Sequence, residues 1–500
     1  MKKLIALLFT ICIASLLSAQ KIDFSMGSKT NKKIYAPRMV RLTDSPSDEN
    51  ILVVEPQLKA INAGFSANSV KGYKIRLCDM EWKDSKTLEI PNSKGFLLGE
   101  TFRNGNSLNI MMYDYEGGIR LRIVSLDIQN FTISRDEIVC TLSKDKGYDA
   151  ELFSCSSPNG EYYAAVCCLW PNKSQGSAVA LLFDDEMNKL WQRELVYSDI
   201  TDVILSNDGD LATIALGSLD GNKNATAFRI NAVSDGGEQH AEYTIEADLT
   251  TVALLNYIDG RILATALEGS GGNSKITIGA LGHRNFSGIT SLVFDLDKED
   301  IAISNRHPFT NNELNALSNS PKGTPNLGGD LKFIRKVDAC QTPNGGAVLY
   351  QHAWSEESRD MRSGASNLTV HSKGILVVQV DMKGEMVVSP IMQNNQNASW
   401  PHVGADLFAT GDKVYILTNE SGNEGDVYTP LEPAKRSLKL LAANSAASLY
   451  WFTADGFGAK QVLQRDEKAI LFTPAVKGEN GRYFFLAGGM FPSIARFVLP

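Results

Sequence analysis

Helical periodicity is nearly absent from these 500 residues. Only Asn311–Leu317 and Pro433–Ala443 read as short helices, which excludes a helical bundle and a doubly wound α/β fold. Basic runs are missing too. Lys and Arg number 49 against 57 Asp and Glu, a net charge of -8. Without Lys2 and Lys3 the balance is -10, so nucleic acid and anionic lipid are poor partners. No Cys-x-x-Cys, His-x-His or His-x-x-x-His pair occurs, and the usual zinc frames are excluded. There is no Gly-x-Ser-x-Gly elbow and no phosphate loop of the Gly-x-x-x-x-Gly-Lys-Ser/Thr form. Gly269-Ser-Gly-Gly-Asn273 lies between two strands, with no helix N-terminus to hold a dinucleotide. Nothing here calls for a cofactor or a metal.

The one long apolar run, Leu4–Leu17, follows Lys2 and Lys3 and precedes Leu17-Ser18-Ala19. That order predicts a signal peptide over residues 1–19, with Gln20 first in the mature chain. The run is too short for a stable span, and no later run reaches spanning length. The only nearby cysteine, Cys12, sits inside the run, so a lipid anchor at the cleavage site is not expected. The chain is therefore expected to be exported, to the periplasm or beyond, as one domain over 20–500. Cys78, Cys140, Cys155, Cys167, Cys168 and Cys340 remain, in a compartment that permits disulfides. Most stand in apolar strands, as in Ile138-Val139-Cys140, and buried free thiols are expected. With Ser157–Gly160 as a turn, Cys155 is placed opposite Tyr162.

What the chain does have is a repeated hairpin. Ser157-Pro-Asn-Gly160, Ser206-Asn-Asp-Gly209, Tyr257-Ile-Asp-Gly260 and Thr342-Pro-Asn-Gly345 each lead straight into an apolar strand. Asn-Gly and Asp-Gly tolerate the positive φ of tight turns. Gly160, Gly209 and Gly260 follow at intervals of 49 and 51 residues. A hairpin period of ~40–50 residues is the mark of a β-propeller blade. A second phrase, strand–acidic turn–strand, alternates with the first at Ala180–Trp191, Leu376–Val388 and Leu449–Val462. The pair predicts four-stranded antiparallel blades. The markers give roughly seven, six or eight also being compatible, near 37–95, 96–147, 148–198, 199–248, 249–335, 336–402 and 403–500. Two polar stretches break the rhythm, Ser304–Asp330 and Ser355–Lys373. Long connections in a compact domain tend to be functional.

The signal peptide, Phe183–Trp191, Gly345–Tyr350 and Ile375–Gly384 together resemble exported β-propeller-like proteins of the Bacteroidetes whose chemistry is uncharacterised. The resemblance implies a propeller scaffold over most of 150–500 and assigns no residue a role.

Candidate site residues gather around the sixth blade: His352, Trp354, Arg359, Arg362, His371, Trp400 and His402. Arg and Trp are common binding anchors, and His can act as acid or base. The expected function is a binding or scaffold protein of the cell envelope with a protein or glycan partner. The alternative is a carbohydrate-active or other hydrolase working in the central funnel. Acidic Asp295–Asp300 lacks the Gly of a calcium loop and reads as a solvated turn.

Overall fold

The computed structural model describes residues 22–31, 38–41, 51–58, 70–91, 96–115, 118–143, 148–171, 176–218, 225–270, 285–318, 334–359, 366–389, 392–399, 405–411, 413–421, 427–429, 438–439, 445–452, 458–463, 476–477, 482–488 and 492–499. The two hairpin phrases alternate as the sequence predicts, and they build eight sheets. The first strand, β1 (Asp23–Lys29), belongs to the last sheet. Blade 1 is β2 (Arg38–Arg41), β3 (Ile51–Leu58), β4 (Val70–Cys78) and β5 (Asp84–Pro91). Blade 2 is β6 (Leu97–Asn104), β7 (Ser107–Asp114), β8 (Gly118–Asp127) and β9 (Thr132–Ser143). Blade 3 is β10 (Tyr148–Ser156), β11 (Tyr162–Pro171), β12 (Ser177–Asp184) and β13 (Lys189–Glu194). Blade 4 is β14 (Ile200–Leu205), β15 (Leu211–Ser218), β16 (Thr226–Ser234) and β17 (Gly237–Ile245). Blade 5 is β18 (Leu249–Ile258), β19 (Arg261–Ser270), β20 (Asn285–Asp295) and β21 (Asp300–Pro308), followed by helix α1 (Asn311–Ser318).

Blade 6 is β22 (Ile334–Thr342), β23 (Gly345–Arg359), β24 (Ser366–Asp381) and the short β25 (Met386–Val388), with β26 (Met392–Ser399) on the far half of β24. Blade 7 holds β27 (Ala405–Thr410), β28 (Lys413–Ser421), β29 (Val427–Thr429), β31 (Ser445–Phe452) and β32 (Gly458–Val462), while β30 (Leu438–Lys439) pairs back onto β26. Blade 8 is β33 (Val476–Lys477), β34 (Arg482–Ala487) and β35 (Ser493–Val498), completed by β1. The fold is an all-β propeller at the upper of the anticipated blade counts. The difference lies in 403–500, where one expected blade is two.

Period-2 alternation explains the ring. Both faces of a middle strand are buried, so its sequence is a continuous apolar run. In blade 6, Val348, Tyr350, Leu376 and Val378 pack toward blade 5, while Ala347, Leu349, Ile375 and Val377 pack toward blade 7. Each of the eight apolar clusters joins two neighbouring blades, one for every boundary around the ring. The boundary between blades 8 and 1, with Phe484 and Ile494 against Ile51 and Val53, is closed by an apolar cluster of its own.

Closure is made by the N-terminal strand, since β1 runs antiparallel to β35 with Asp23 opposite Val498 and Met26 opposite Ala495. Buried Gln461 on β32 then grips Ile22: its side-chain oxygen accepts from the Ile22 N–H at 2.8 Å, and its amide donates to the Ile22 carbonyl at 2.9 Å.

Gly160, Gly209 and Gly260 have φ of 75°, 83° and 69°, as tight turns require. Asp259 shares positive φ with Gly260, a two-residue hairpin loop between Ile258 and Arg261. The fourth phrase differs. Pro343–Asn344 make that turn, and Gly345 already pairs with Asp381 in the ladder, where a side chain would strike the Val380 carbonyl. The acidic turns of the outer hairpins share one device, in which the strand-ending Asp side chain accepts backbone N–H groups. Asp79 takes those of Glu81 and Lys83, Asp184 that of Asn188, and Asp381 those of Lys383 and Glu385.

Two expectations are corrected. Cys155 stands opposite Ala164, because the turn extends through Tyr162. Within Pro433–Ala443, Leu438 and Lys439 form a strand parallel to Gln396 and Asn397, and the remainder lies outside the described residues. In the polar insertion Ser355–Lys373, the described residues continue β23 and β24 as a registered hairpin. The expected helix near Asn311 is present.

Candidate functional site

Strand direction sorts the connections onto two faces. In an up-and-down blade, the first–second and third–fourth turns share one end, and the second–third and blade-to-blade connections share the other. The first end carries short turns, such as Ser157–Glu161, Ser206–Asp210, Asp259–Gly260 and Pro343–Asn344. The second end carries α1 between blades 5 and 6, the prolonged ends of β23 and β24, and β29 and β30, the described pieces between β28 and β31.

Blade 6 projects a hairpin arm from this face. Registered pairs run past the blade, from Ala353 opposite Ser372 to Arg359 opposite Ser366. A β-bulge at His352 and at Lys373–Gly374 marks where the arm leaves the blade, consistent with the bend a bulge imposes. β26 and β30 extend the arm's sheet on the β24 side.

Helix α1 braces the root of the arm. Thr310 and Glu313 form a capping box: the Glu313 carboxylate accepts from the Thr310 N–H at 2.7 Å, and the Thr310 hydroxyl accepts from the Glu313 N–H at 3.2 Å. His307 Nε2 meets the other Glu313 oxygen at 2.9 Å. Partial burial pushes the Glu313 carboxyl up, but these hydrogen bonds outweigh it and hold it below its ordinary value. Leu317 is buried against Gly374, where any side chain would strike the helix backbone, and the Leu317 carbonyl lies 3.1 Å from His352 Nδ1. Within blade 5, Glu268 of β19 bonds Thr290 of β20 and Arg306 of β21.

The expected site residues are thereby placed. His352 is buried at the arm root and fixed on α1. Trp354 and His371 are cross-strand partners within the arm, and Arg359 occupies its last registered pair. Arg362, Trp400 and His402 lie outside the described residues.

The innermost strands of the blades carry a second polar zone that sequence reading missed. Asp202 of β14 accepts from the Leu254 N–H of β18 at 2.7 Å and pairs with Lys336 of β22. Lys336 thus reaches from blade 6 to blade 4 over β18, which is nearly all buried. Asp338 repeats the device, accepting from the Leu407 N–H of β27 at 3.2 Å and from its neighbour Ala339 at 2.8 Å. Burial pushes Asp338 up to about 6, and it pushes Glu151 of β10 up to about 7. Both acids can hold or release a proton near neutrality. Among the described residues, no group of three or more His, Cys, Asp or Glu is arranged to hold a metal ion.

No protein-family model matches the chain, and no curated protein matches it either. Several solved structures are similar over most of their length. The WD40 domain of SCAP from fission yeast is 7% identical, covering 95% of this chain and 94% of its own, with a TM-score of 0.37. The β-propeller domain of the Trilobed protease from Pyrococcus furiosus is 11% identical, covering 74% and 95%, with a TM-score of 0.30. A PL25 ulvan lyase is 10% identical, covering 80% and 91%, with a TM-score of 0.37. At such distances neither chemistry nor partner carries across.

Proposed function

We propose that this is an exported binding or scaffold protein of the cell envelope, which holds a protein or glycan partner on the face that carries its hairpin arm. A propeller is a rigid ring suited to such a role. The observation that carries the reading is the gathering of the arm, its bracing helix and the strand β30 that extends the arm's sheet onto one face. Loops held on a rigid scaffold are where recognition concentrates. The leader-like Lys2–Ala19 supports export, and no described helix is long and apolar enough to cross a membrane. The test is capture from the source cell's envelope fraction by the parent and by a variant lacking Glu356–Ala365. That deletion leaves Ser355 opposite Val370 and spares the blade. Loss of capture with an unchanged melting curve supports the reading, and equal capture overturns it.

A hydrolase working in the funnel is the second reading, and the raised acids Asp338 and Glu151 are what favour it. Cleavage of an envelope glycan by the parent, lost in Asp338→Asn and Glu151→Gln with the fold intact, would establish it in place of simple capture.

A further inference from the structure

Among the six described cysteines, all are free thiols, and they are not equivalent in place. Cys140 lies on β9, the outermost strand of blade 2, and Cys167 lies on β11 of blade 3. Both side chains enter the apolar cluster that fills the boundary between these blades. A β-bulge puts Cys140 there. Cys140 pairs with Leu121 and Ile138 with Arg122, so Val139 is the extra residue. Before the bulge, odd-numbered side chains face blade 3, as Arg135 shows by donating to the Met187 carbonyl at 2.7 Å. After it the even-numbered ones do. Ile138 is accordingly exposed while Cys140 is buried.

We propose that Cys140 and Cys167 are a redox-responsive pair that a disulfide oxidant converts into a covalent staple between blades 2 and 3. The two thiols influence each other across this boundary. Through Cys167, the Cys140 sulfur is held below the usual thiol range, burial opposing this and Lys189 assisting, while Cys167 is raised. The other thiols have no such partner in place. Cys155 and Cys168 share the next boundary, but their ladder positions are four residues apart, roughly 13 Å along the strands. That is too far for a bridge. Cys78 and Cys340 sit at separate boundaries of the ring.

The chemistry is ordinary thiol–disulfide exchange. The Cys140 thiolate attacks one sulfur of the oxidant, forming a mixed disulfide and expelling one thiolate. Cys167 then gives up its proton and attacks the Cys140 sulfur, expelling the second half. Two protein thiols and one oxidant disulfide become one protein disulfide and two small thiols. The Cys140 side lies on the edge strand, whose opening admits the oxidant.

The test treats the purified full chain with glutathione disulfide or with a phosphine reductant, alkylates it, and maps peptides without reduction. The same pair of conditions is applied during refolding from denaturant, so that burial cannot block the reaction. The expected result is a Cys140–Cys167 linked peptide, two fewer alkylatable thiols, and a melting midpoint raised by a few degrees and reversed by reductant. Cys140→Ser and Cys167→Ser each abolish the link and the shift, whereas Cys155→Ser and Cys340→Ser keep both. Absence of the linked peptide in both native and refolding arms overturns the proposal. So does a different cysteine pairing, or glutathione retained as a stable mixed disulfide.

Discussion

Asp202 accepts the Leu254 N–H at 2.7 Å, joining the innermost strands of blades 4 and 5 at the axis. The same carboxylate pairs with Lys336 from blade 6, so one acid ties three blades together. Asp202→Ala leaves a buried N–H and a cation without their partner. We expect a loss on the order of 1–3 kcal/mol in denaturant unfolding. Asp202→Asn should cost less, because its amide oxygen still accepts from Leu254. Equal losses for the two would show that the hydrogen bond is not the stabilising contact.

Asp338 gives the protein a pH dependence of definite sign. Burial lifts its folded-state value to about 6 from the ordinary 3.8. Below about 4 it is neutral in both states and costs nothing. Between about 4 and 6 the folded state binds the extra proton, so stability falls as pH rises, by on the order of 1–3 kcal/mol in total. Asp338→Asn keeps an acceptor for Leu407 and removes the charge. Its unfolding midpoint should exceed the parent's at pH 7.5 and match it near pH 4. A variant less stable at pH 7.5 would place a favourable ion pair at this carboxylate instead.

Gly160 and Gly209 separate two costs of a turn residue. Both have positive φ, but a side chain at 160 meets open space while one at 209 comes within 3.2 Å of the Tyr162 ring. Gly160→Ala should therefore cost about 1 kcal/mol, from backbone strain alone. Gly209→Val adds a β-branched side chain and the ring contact, and should cost more. Melting curves that rank them the other way would contradict the assigned turns.

Removing residues up to Asn31 takes away β1. Blade 8 then presents β35 as an open edge, and Gln461 loses both partners at Ile22. Limited proteolysis should cut first within 476–498 in this variant and not in the parent. An unchanged digestion pattern would mean that the ring does not depend on N-terminal closure.

Fold class, blade period and three glycine turns were legible because hairpin chemistry is local: Asn-Gly, Asp-Gly and alternating apolar residues act within a few positions. Blade 8 was not. Its strands come from both ends of the chain, and β33 is only Val476–Lys477, so no local phrase marks it. The arm was legible only as a polar insertion, because its polar residues carry no strand signal, yet they form a regular ladder there. Asp202, Lys336 and Asp338 were invisible for a different reason. Their roles arise only when strands from separate blades converge at the axis. His352 was legible by residue type alone, while its place beneath α1 was not. The Thr310-x-x-Glu313 capping box was the available signal for that helix.

The most direct test of the account asks which face holds the partner. A photo-crosslinking residue is placed at Ser358, near the tip of the arm, or at Asn188, in a short turn on the opposite face. Each version is irradiated with the source cell's envelope fraction. The account predicts a discrete crosslinked species from position 358 and none from 188. Crosslinking from 188 alone would contradict it.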